Sequence, residues 1–341
     1  MKRKYLVTGG AGFIGSNYVN RLLQRGEQVV IYDNLSRLGA KANISWLEET
    51  FGKQAVQLVA ADVVDAGQLA ASARGADVVV HLAGQVAVTT SVTHPRQDFE
   101  ANALGTFNAL EAARLSGNDP VFIYASTNKV YGGMDDVKIV ELPTRWQYAD
   151  LESGCPETQA LDFHSPYGCS KGAGDQYVRD YARIYGLRTV VFRQSCIYGP
   201  RQFGVEDQGW LAWMIIAAVT GRQITIYGDG KQVRDVLHVN DLLDSYDLAI
   251  AKIGTARGRV YNIGGGPTNV LAVWAEFGPL LEDLLGRKVP VAQADWRPGD
   301  QRVFYADVRK AQRELGWEPR IGLADGIRRL LEWVQENKDL F

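Results

Sequence analysis

The sequence predicts an α/β chain built on a doubly wound parallel sheet, with a smaller, interleaved C-terminal substrate-binding lobe. Three observations point there. Tyr5-Leu6-Val7-Thr8, an apolar run of strand length, passes through a glycine-rich turn into a helical pattern with Val19, Leu22 and Leu23. Strand-like and helical stretches then alternate as far as Arg193, the rhythm of parallel strands joined by crossover helices. After Ser195-Cys196-Ile197-Tyr198-Gly199-Pro200 that rhythm changes. The 341 residues suffice for one large α/β unit or two domains sharing a cleft. The expected division gives residues 1–193 plus about 236–265 to the sheet domain, and about 194–235 plus 266–341 to the lobe.

Composition excludes several classes. Hydrophobic content of 46% and charged content of 22% are ordinary for a globular protein, and a net charge of −2 makes no case for nucleic acid or an anionic membrane surface. No run approaches the ~20 apolar residues a membrane span requires. The basic start Lys2-Arg3-Lys4 is followed by an apolar run that breaks into glycines after three residues, unlike a signal peptide. Three scattered cysteines, Cys155, Cys169 and Cys196, suit neither a disulfide framework nor a zinc site. A soluble cytoplasmic protein with reduced thiols and no metal is expected. Cys169 reads as a small packing residue, since no histidine is spaced to activate it.

Taken in order, the first strand runs into Gly9-Gly10-Ala11-Gly12-Phe13-Ile14-Gly15. Gly9, Gly12 and Gly15 fit G-x-x-G-x-x-G, and Gly10, Gly12 and Gly15 fit G-x-G-x-x-G. Such glycines make the tight turn, let backbone approach a pyrophosphate and let the helix pack on the strand, with the anion at the helix N-terminus. This is a Rossmann-type dinucleotide signature. The next strand, Gln28–Tyr32, ends in Asp33, whose carboxylate is placed to accept hydrogen bonds from adenosine ribose hydroxyls and to repel a 2′-phosphate. That favours NAD over NADP, although Arg37 nearby could welcome the phosphate or simply be a solvated loop charge. Strands are expected over residues 55–60 and 77–82. Asp62 follows the first and can meet an adenine amino group; Leu82, Ala83 and Gln85 follow the second and would lie along the cofactor. His81 reads as packed. A helix is expected from Asn102 to Ala113. The strand over 120–125 delivers Ser126 and Thr127 to the end of the sheet where an α/β fold places its chemistry. Thr127 is the choice to hydrogen-bond a reacting oxygen, with strand-end capping the alternative. Residues 133–160 read as an irregular insertion, and a sixth strand follows over 188–193. Beyond it come a helix over 209–220, a strand over 224–227, a turn over 228–235, a helix over 239–253 and a strand over 260–263. The remainder is expected to be mostly helical (272–285, 307–316, 323–337) around the loop Arg297-Pro298-Gly299-Asp300. Arg234 and Arg297 can clamp a diphosphate by bidentate hydrogen bonds or serve as surface ion-pair partners.

The chemistry converges on Ser165-Pro166-Tyr167-Gly168-Cys169-Ser170-Lys171. Pro166 suits the start of a helix. Residues four apart share a helix face, so the Tyr167 phenol and the Lys171 ammonium can meet. A tyrosine is a poor base, with an unperturbed pKa of ~10; bringing it to about 7 takes roughly 4 kcal/mol. A lysine cation and an oxidised nicotinamide ring would favour the phenolate. Alone, a tyrosine four residues before a lysine is also a common surface pair.

Together, the opening glycines, Asp33, the Asn102 helix, Thr127, Tyr167 with Lys171, and Arg234-Asp235-Val236-Leu237-His238 resemble the extended short-chain dehydrogenase/reductase family over almost the whole chain. The strings H-L-A-G-Q-V-A-V-T-T-S (81–91), S-T-N-K-V-Y-G (126–132), L-D-F-H-S-P-Y-G-C-S-K-G (161–172), R-Q-F and D-Q-G-W (201–210) and G-K-Q-V-R-D-V-L-H (230–238) resemble more narrowly its members acting at C2 of nucleotide sugars. The resemblance implies an NAD-dependent isomerase, an epimerase for a nucleotide-diphosphate hexose of the CDP-paratose/CDP-tyvelose type. Tyr167 would take a proton from the C2 hydroxyl, Lys171 would lower the phenol's pKa and hold the nicotinamide ribose, and Thr127 would position the oxygen. A 2-keto sugar would form, rotate and be reduced on its other face, with no net NAD consumed. The resemblance also implies cofactor contacts from Phe13, Ile14, Asn34, Ser36, Val63, Gln85, Asn102 and Gln194. Substrate contacts are implied for Gln85, Thr127, Asn128, Arg201, Gln208, Arg234 and Arg297. A homodimer or homotetramer is implied, paired through the Asn102 and Tyr167 helices. Gln194 stands where the family pattern leads to histidine. Related 4,6-dehydratases carry Asp-Glu after the threonine, where this chain has Asn128 and Lys129, which argues against elimination. A nucleotide-sugar 4-epimerase and a non-catalytic NAD(H)-binding protein are the alternatives.

Overall fold

The computed structural model describes residues 2–297 and 301–341, so Pro298, Gly299 and Asp300 of the expected arginine loop lie outside the described residues. The strands, in chain order, are β1 (Lys4–Thr8), β2 (Gln28–Asp33), β3 (Gln57–Ala60), β4 (Val78–His81), β5 (Val121–Thr127), β6 (Ile139–Glu141), β7 (Trp146–Tyr148), β8 (Arg188–Gln194), β9 (Cys196–Tyr198), β10 (Ile224–Tyr227), β11 (Val233–His238), β12 (Arg259–Ile263), β13 (Val270–Ala272), β14 (Val291–Ala294) and β15 (Val303–Phe304). The helices are α1 (Phe13–Gln24), α2 (Ala40–Phe51), α3 (Ala66–Ala73), α4 (Val88–Thr93), α5 (Pro95–Phe99), α6 (Gly105–Arg114), α7 (Ser165–Ile184), α8 (Trp210–Thr220), α9 (Val239–Ala251), α10 (Ile253–Ala256), α11 (Phe277–Leu285), α12 (Arg309–Leu315) and α13 (Leu323–Glu336).

Seven strands form one sheet in the order β12-β8-β5-β4-β1-β2-β3. The pairings of β1 with β2 and β4, of β2 with β3 and of β4 with β5 are all parallel. The strand order reverses between β1 and β4, the switch point at which doubly wound sheets bind ligands. The strands take central places through nearly continuous apolar runs: Leu6, Val7, Val79, Val80, Phe122 and Ile123 are essentially inaccessible.

The chain divides into two units. The first comprises Met1–Val130, Phe163–Arg193 and Leu243–Tyr261; the second comprises Tyr131–Asp162, Gln194–Leu242 and Asn262–Phe341. This corrects the expected boundaries: residues 131–162, placed with the sheet by sequence, group with the lobe, as do 236–242 and 262–265. The core of the first unit joins Leu6, Tyr32, Val79, Leu110, Phe122, Tyr124, Val178 and Val191. That of the second joins Ile215, Ile226, Val236, Phe277, Leu281, Ile327, Leu330 and Val334.

Several local expectations change. The insertion 133–160 contains the antiparallel pair β6/β7. The expected turn at 228–235 ends in β11, which pairs with β9, β13 and β15 and buries Arg234. The C-terminal stretch is less helical than expected, because β13, β14 and β15 interrupt it. These strands have two to four residues, too short for alternation to register in sequence. The helix expected from Asn102 starts as a π-helical turn over Glu100–Leu104 before α6 begins.

Candidate active site

The first unit builds its site from the ends of β1, β4 and β5 and from α1 and α7. Gly9 has φ +70, open to glycine at little cost, and a Cβ there would come within 2.7 Å of the Ala83 nitrogen. A Cβ on Gly15 would sit 2.1 Å from the Gly9 carbonyl oxygen. The turn is thus held against the end of β4 and the first turn of α1, leaving a shallow backbone cradle. α1 starts at Phe13 without a side-chain cap and without an acidic residue in its first turn, the arrangement that leaves N–H groups and the positive helix end to an anion. Asp33 ends β2, buried. Its Oδ2 accepts from Ala11 N at 3.0 Å and its Oδ1 from Leu35 N at 2.8 Å. Burial pushes its pKa up, and the N–H groups of Leu35, Ala11 and Gly12 work against that. Asn34 donates to Asp62 at 2.7 Å, and Ser36 donates to Asn34 at 2.6 Å, so these three polar residues gather beside Asp33. Arg37 is exposed in the same loop. Leu82 and Ala83 follow β4, bonded through their N–H groups to the carbonyl and hydroxyl oxygens of Thr8. The Gln85 side chain closes on Ala87 in both directions, at 2.6 and 2.7 Å. Val63 packs against Gly105. Cradle, unsatisfied helix end and buried carboxylate fit a dinucleotide, and Gly9, Gly12, Phe13, Ile14, Gly15, Asp33 and Asp62 are the residues that would hold it.

Thr127 ends β5. Its hydroxyl accepts from Lys129 N at 3.2 Å and donates to Asn128 Oδ1 at 3.4 Å, and it pulls the Tyr167 phenol's pKa down. Asn128 is buried beside it. Ser126, next in line on the strand, turns elsewhere and donates to Asp175 at 2.8 Å. Asp175 in turn takes Nε and Nη2 of Arg193, both at 2.9 Å, in an ion pair that is almost wholly buried beneath α7. α7 begins as its sequence predicts. Ser165 turns the chain with φ +63 and caps Gly168 N at 3.2 Å, and Pro166 sits in the first turn. Its buried face carries Tyr167, Ser170, Lys171, Gly174, Asp175, Val178 and Tyr181 at helical spacing.

Burial dominates the titration of the two expected catalytic groups. It pushes the Tyr167 phenol up to about 12, with the Thr127 hydroxyl lowering it and the Asp98 charge raising it further. It brings the Lys171 ammonium down to about 7, against the pull of Asp175 and Asp98. Lys171 Nζ donates to the Ala125 carbonyl at 2.6 Å and lies 4.3 Å from the centre of the Tyr124 ring. His81 is neutral and packed, pushed down to about 3, bonded to Thr8 and Thr106 and stacked on Tyr124. Sequence reasoning missed Asp98, Ser170 and Asp175. Ser170 donates to Asp98 at 2.5 Å, and Asn102 Nδ2 donates to Asp98 at 3.0 Å and to Ser170 at 3.2 Å. The one sequence signal was spacing: Asp98 lies four residues before Asn102, and Asp175 four after Lys171.

The second unit carries the other expected contact residues. Gln194 is buried at the end of β8. Arg201 has φ +68 and stands 5.7 Å from the Trp333 ring centre. Gln208 exchanges backbone hydrogen bonds with Val205. Arg234 is buried, with Nη1 donating to the Val233 carbonyl at 2.8 Å. Arg297 stacks 3.8 Å over Tyr227 and pairs with Asp207 at 3.0 Å.

Comparison with known proteins agrees with this architecture. The family profile described as GDP-mannose 4,6 dehydratase matches residues 6–330. The CDP-paratose 2-epimerase of Salmonella typhi is 44% identical over 336 residues, covering 97% of this chain and 99% of that protein. The UDP-glucose 4-epimerase of Thermotoga maritima, solved with UDP-glucose, superposes with a TM-score of 0.83 at 30% identity over 98% of this chain and 99% of its own. The dTDP-glucose 4,6-dehydratase of Streptomyces venezuelae, solved with NAD, gives a TM-score of 0.84 at 30% identity, covering 99% of this chain and 98% of its own. The chain belongs to the GDP-mannose 4,6 dehydratase family, within the extended short-chain dehydrogenases/reductases.

Proposed function

We propose that this chain is an NAD-dependent epimerase that inverts C2 of a nucleotide-diphosphate hexose of the CDP-paratose/CDP-tyvelose type. The observation that carries the reading is Thr127 beside Tyr167, with Lys171 one helical turn further along α7, and with Asn128 and Lys129 after the threonine rather than an acid–base pair for eliminating water. Such a set moves one proton at one oxygen and leaves the neighbouring C–O bonds alone. Likeness to the Salmonella enzyme along nearly the full length of both chains supports C2 as the carbon and CDP as the nucleotide. Bound NAD supplies the hydride acceptor and donor. Thr127 holds the sugar hydroxyl, Tyr167 takes its proton and later returns it, and Lys171, hydrogen-bonded to Ala125 at 2.6 Å, is assigned to lower the phenol's pKa and to hold the nicotinamide ribose. Orientation of the reacting oxygen is the protein's main contribution. Arg234 and Arg297 are proposed for the diphosphate, and Gln85, Asn128, Arg201 and Gln208 for the rest of the substrate.

No described helix is long and apolar enough to cross a membrane, and we place the protein in the cytoplasm. We also assign a homodimer to α6 and α7, which expose Phe107, Tyr177 and Ile184, with Tyr185 just past the end of α7. The likeness to UDP-glucose 4-epimerases favours epimerisation at C4 as the second reading.

The test is incubation of the purified protein, without added coenzyme, with CDP-paratose or CDP-tyvelose in D₂O, followed by proton NMR. Inversion at C2 without deuterium at carbon is expected. Deuterium at C2 or its neighbours would sink internal hydride return. Inversion at C4 would move the chain to the 4-epimerases, and bound NAD without turnover of any nucleotide sugar would make it a non-catalytic binder.

A further inference from the structure

We propose that Asp98 is a positioning residue, whose buried carboxylate fixes the Asn102 amide and the Ser170 hydroxyl and thereby holds the Tyr167–Lys171 turn of α7 in register with the end of β4. The inference rests on the epimerase reading above. Asp98 is inaccessible, on α5, and two donors converge on it: Ser170 Oγ at 2.5 Å on Oδ2 and Asn102 Nδ2 at 3.0 Å on Oδ1. Ser170 lies between Tyr167 and Lys171 and also bonds the Tyr167 carbonyl at 3.2 Å, so the carboxylate grips the catalytic turn 72 residues away in sequence.

The same carboxylate decides how Asn102 faces. An ionised carboxylate only accepts, so the amide must present its NH₂ to Asp98. Its Oδ1 is then turned the other way. That oxygen is buried, has no hydrogen-bond partner among the described residues, and lies 2.4 Å from where a Cβ on Gly84 would be. Gly84 follows Leu82 and Ala83 in the stretch assigned to the cofactor, so an acceptor is fixed against the backbone where the dinucleotide would pass. The π-helical turn over Glu100–Leu104 is the local distortion that carries Asn102 into this position.

Charge alone does not account for the carboxylate. Its field raises the Tyr167 pKa, which opposes the phenolate, while favouring the charged Lys171. The groups facing this pair are Thr127 and Asp98 on the phenol, and Asp98, Asp175 and the Tyr124 ring on the ammonium, with His81 neutral nearby. Removing the charge therefore moves both titrations downward. A residue acting only through its field would shift the pH profile and keep its height; a positioning residue lowers the height.

The test compares Asp98→Asn and Gly84→Ala with the wild-type holoenzyme. Asp98→Asn keeps shape and hydrogen-bonding capacity but lets either amide flip. The expected result is a kcat lower by roughly tenfold to a hundredfold, with KM changed much less. NAD stays bound, and both limbs of the kcat profile move to lower pH. ¹³C NMR of labelled tyrosine should show the Tyr167 phenol titrating lower in the sugar-free holoprotein. Gly84→Ala should lower kcat similarly without moving the limbs. Wild-type height in Asp98→Asn, with or without a shifted Tyr167 titration, would overturn the inference, as would a loss of kcat matched by lost NAD and lower melting temperature. A wild-type protein inactive on every sugar would instead overturn the functional reading, a failure distinct from a loss of height confined to the variants.

Discussion

Tyr167 and Lys171 are displaced toward neutrality from opposite sides by the same burial, the phenol up to about 12 and the ammonium down to about 7. Tyr167→Phe removes the proton-transfer oxygen and keeps the ring, so activity should fall roughly 10²–10⁴-fold while NAD remains bound, read by turnover and by absorbance of the holoprotein. Lys171 also affects stability, and the sign follows from the shift. Its folded pKa lies near 7 and its ordinary value is 10.5, so between those pH values the unfolded chain binds more protons and stability rises with pH. Below about pH 7 the fold carries the full cost of a buried ammonium. Lys171→Met should therefore stabilise the cofactor-free protein by on the order of a few kcal/mol at pH 6, and by little above pH 10.5, as urea denaturation at the two pH values would show. A gain independent of pH would contradict this account.

At the scale of elements, α7 is anchored by more than its apolar face. The Asp175–Arg193 pair is buried with side-chain exposures of 0% and 3%, and Ser126 completes the carboxylate's contacts. Asp175→Ala would leave the Arg193 guanidinium buried without its partner, and a loss of about 3–5 kcal/mol is expected in denaturant titrations. The double replacement with Arg193→Met should cost less than the two single changes added together. The turn between β1 and α1 admits less. With the Gly9 oxygen 2.1 Å from any Cβ at residue 15, Gly15→Ala must displace backbone, and loss of NAD binding is expected by calorimetry. This turn, Asp33 and the start of α7 were legible in sequence, because each depends on contacts within a few residues. The π turn was not, since nothing in Glu100–Leu104 departs from helical composition and the extra residue per turn is imposed by what Asn102 meets across the fold.

For the whole molecule, the exposed apolar residues of α6 and α7 form a face that a monomer has little reason to keep. Phe107 and Tyr177 contact edge to face at 6.1 Å, and Ile184 and Tyr185 remain 66% and 55% exposed. Tyr177→Arg combined with Ile184→Glu should convert a dimer to monomers in sedimentation velocity, and an unchanged mass would exclude this face as the interface. Sequence by itself determined the sheet's alternating strands and helices, the glycine turn after β1, the carboxylate that ends β2 and the tyrosine–lysine spacing, since apolar period, glycine sterics and helical pitch act locally. Only the tertiary structure decided that residues 131–162 belong with the lobe, that Ser126 serves Asp175 while Thr127 bonds Asn128 and Lys129, and that Asp98 reaches Ser170. Those pairings, and the opposite displacements of Tyr167 and Lys171, depend on desolvation and on contacts between residues dozens of positions apart, which no local pattern encodes.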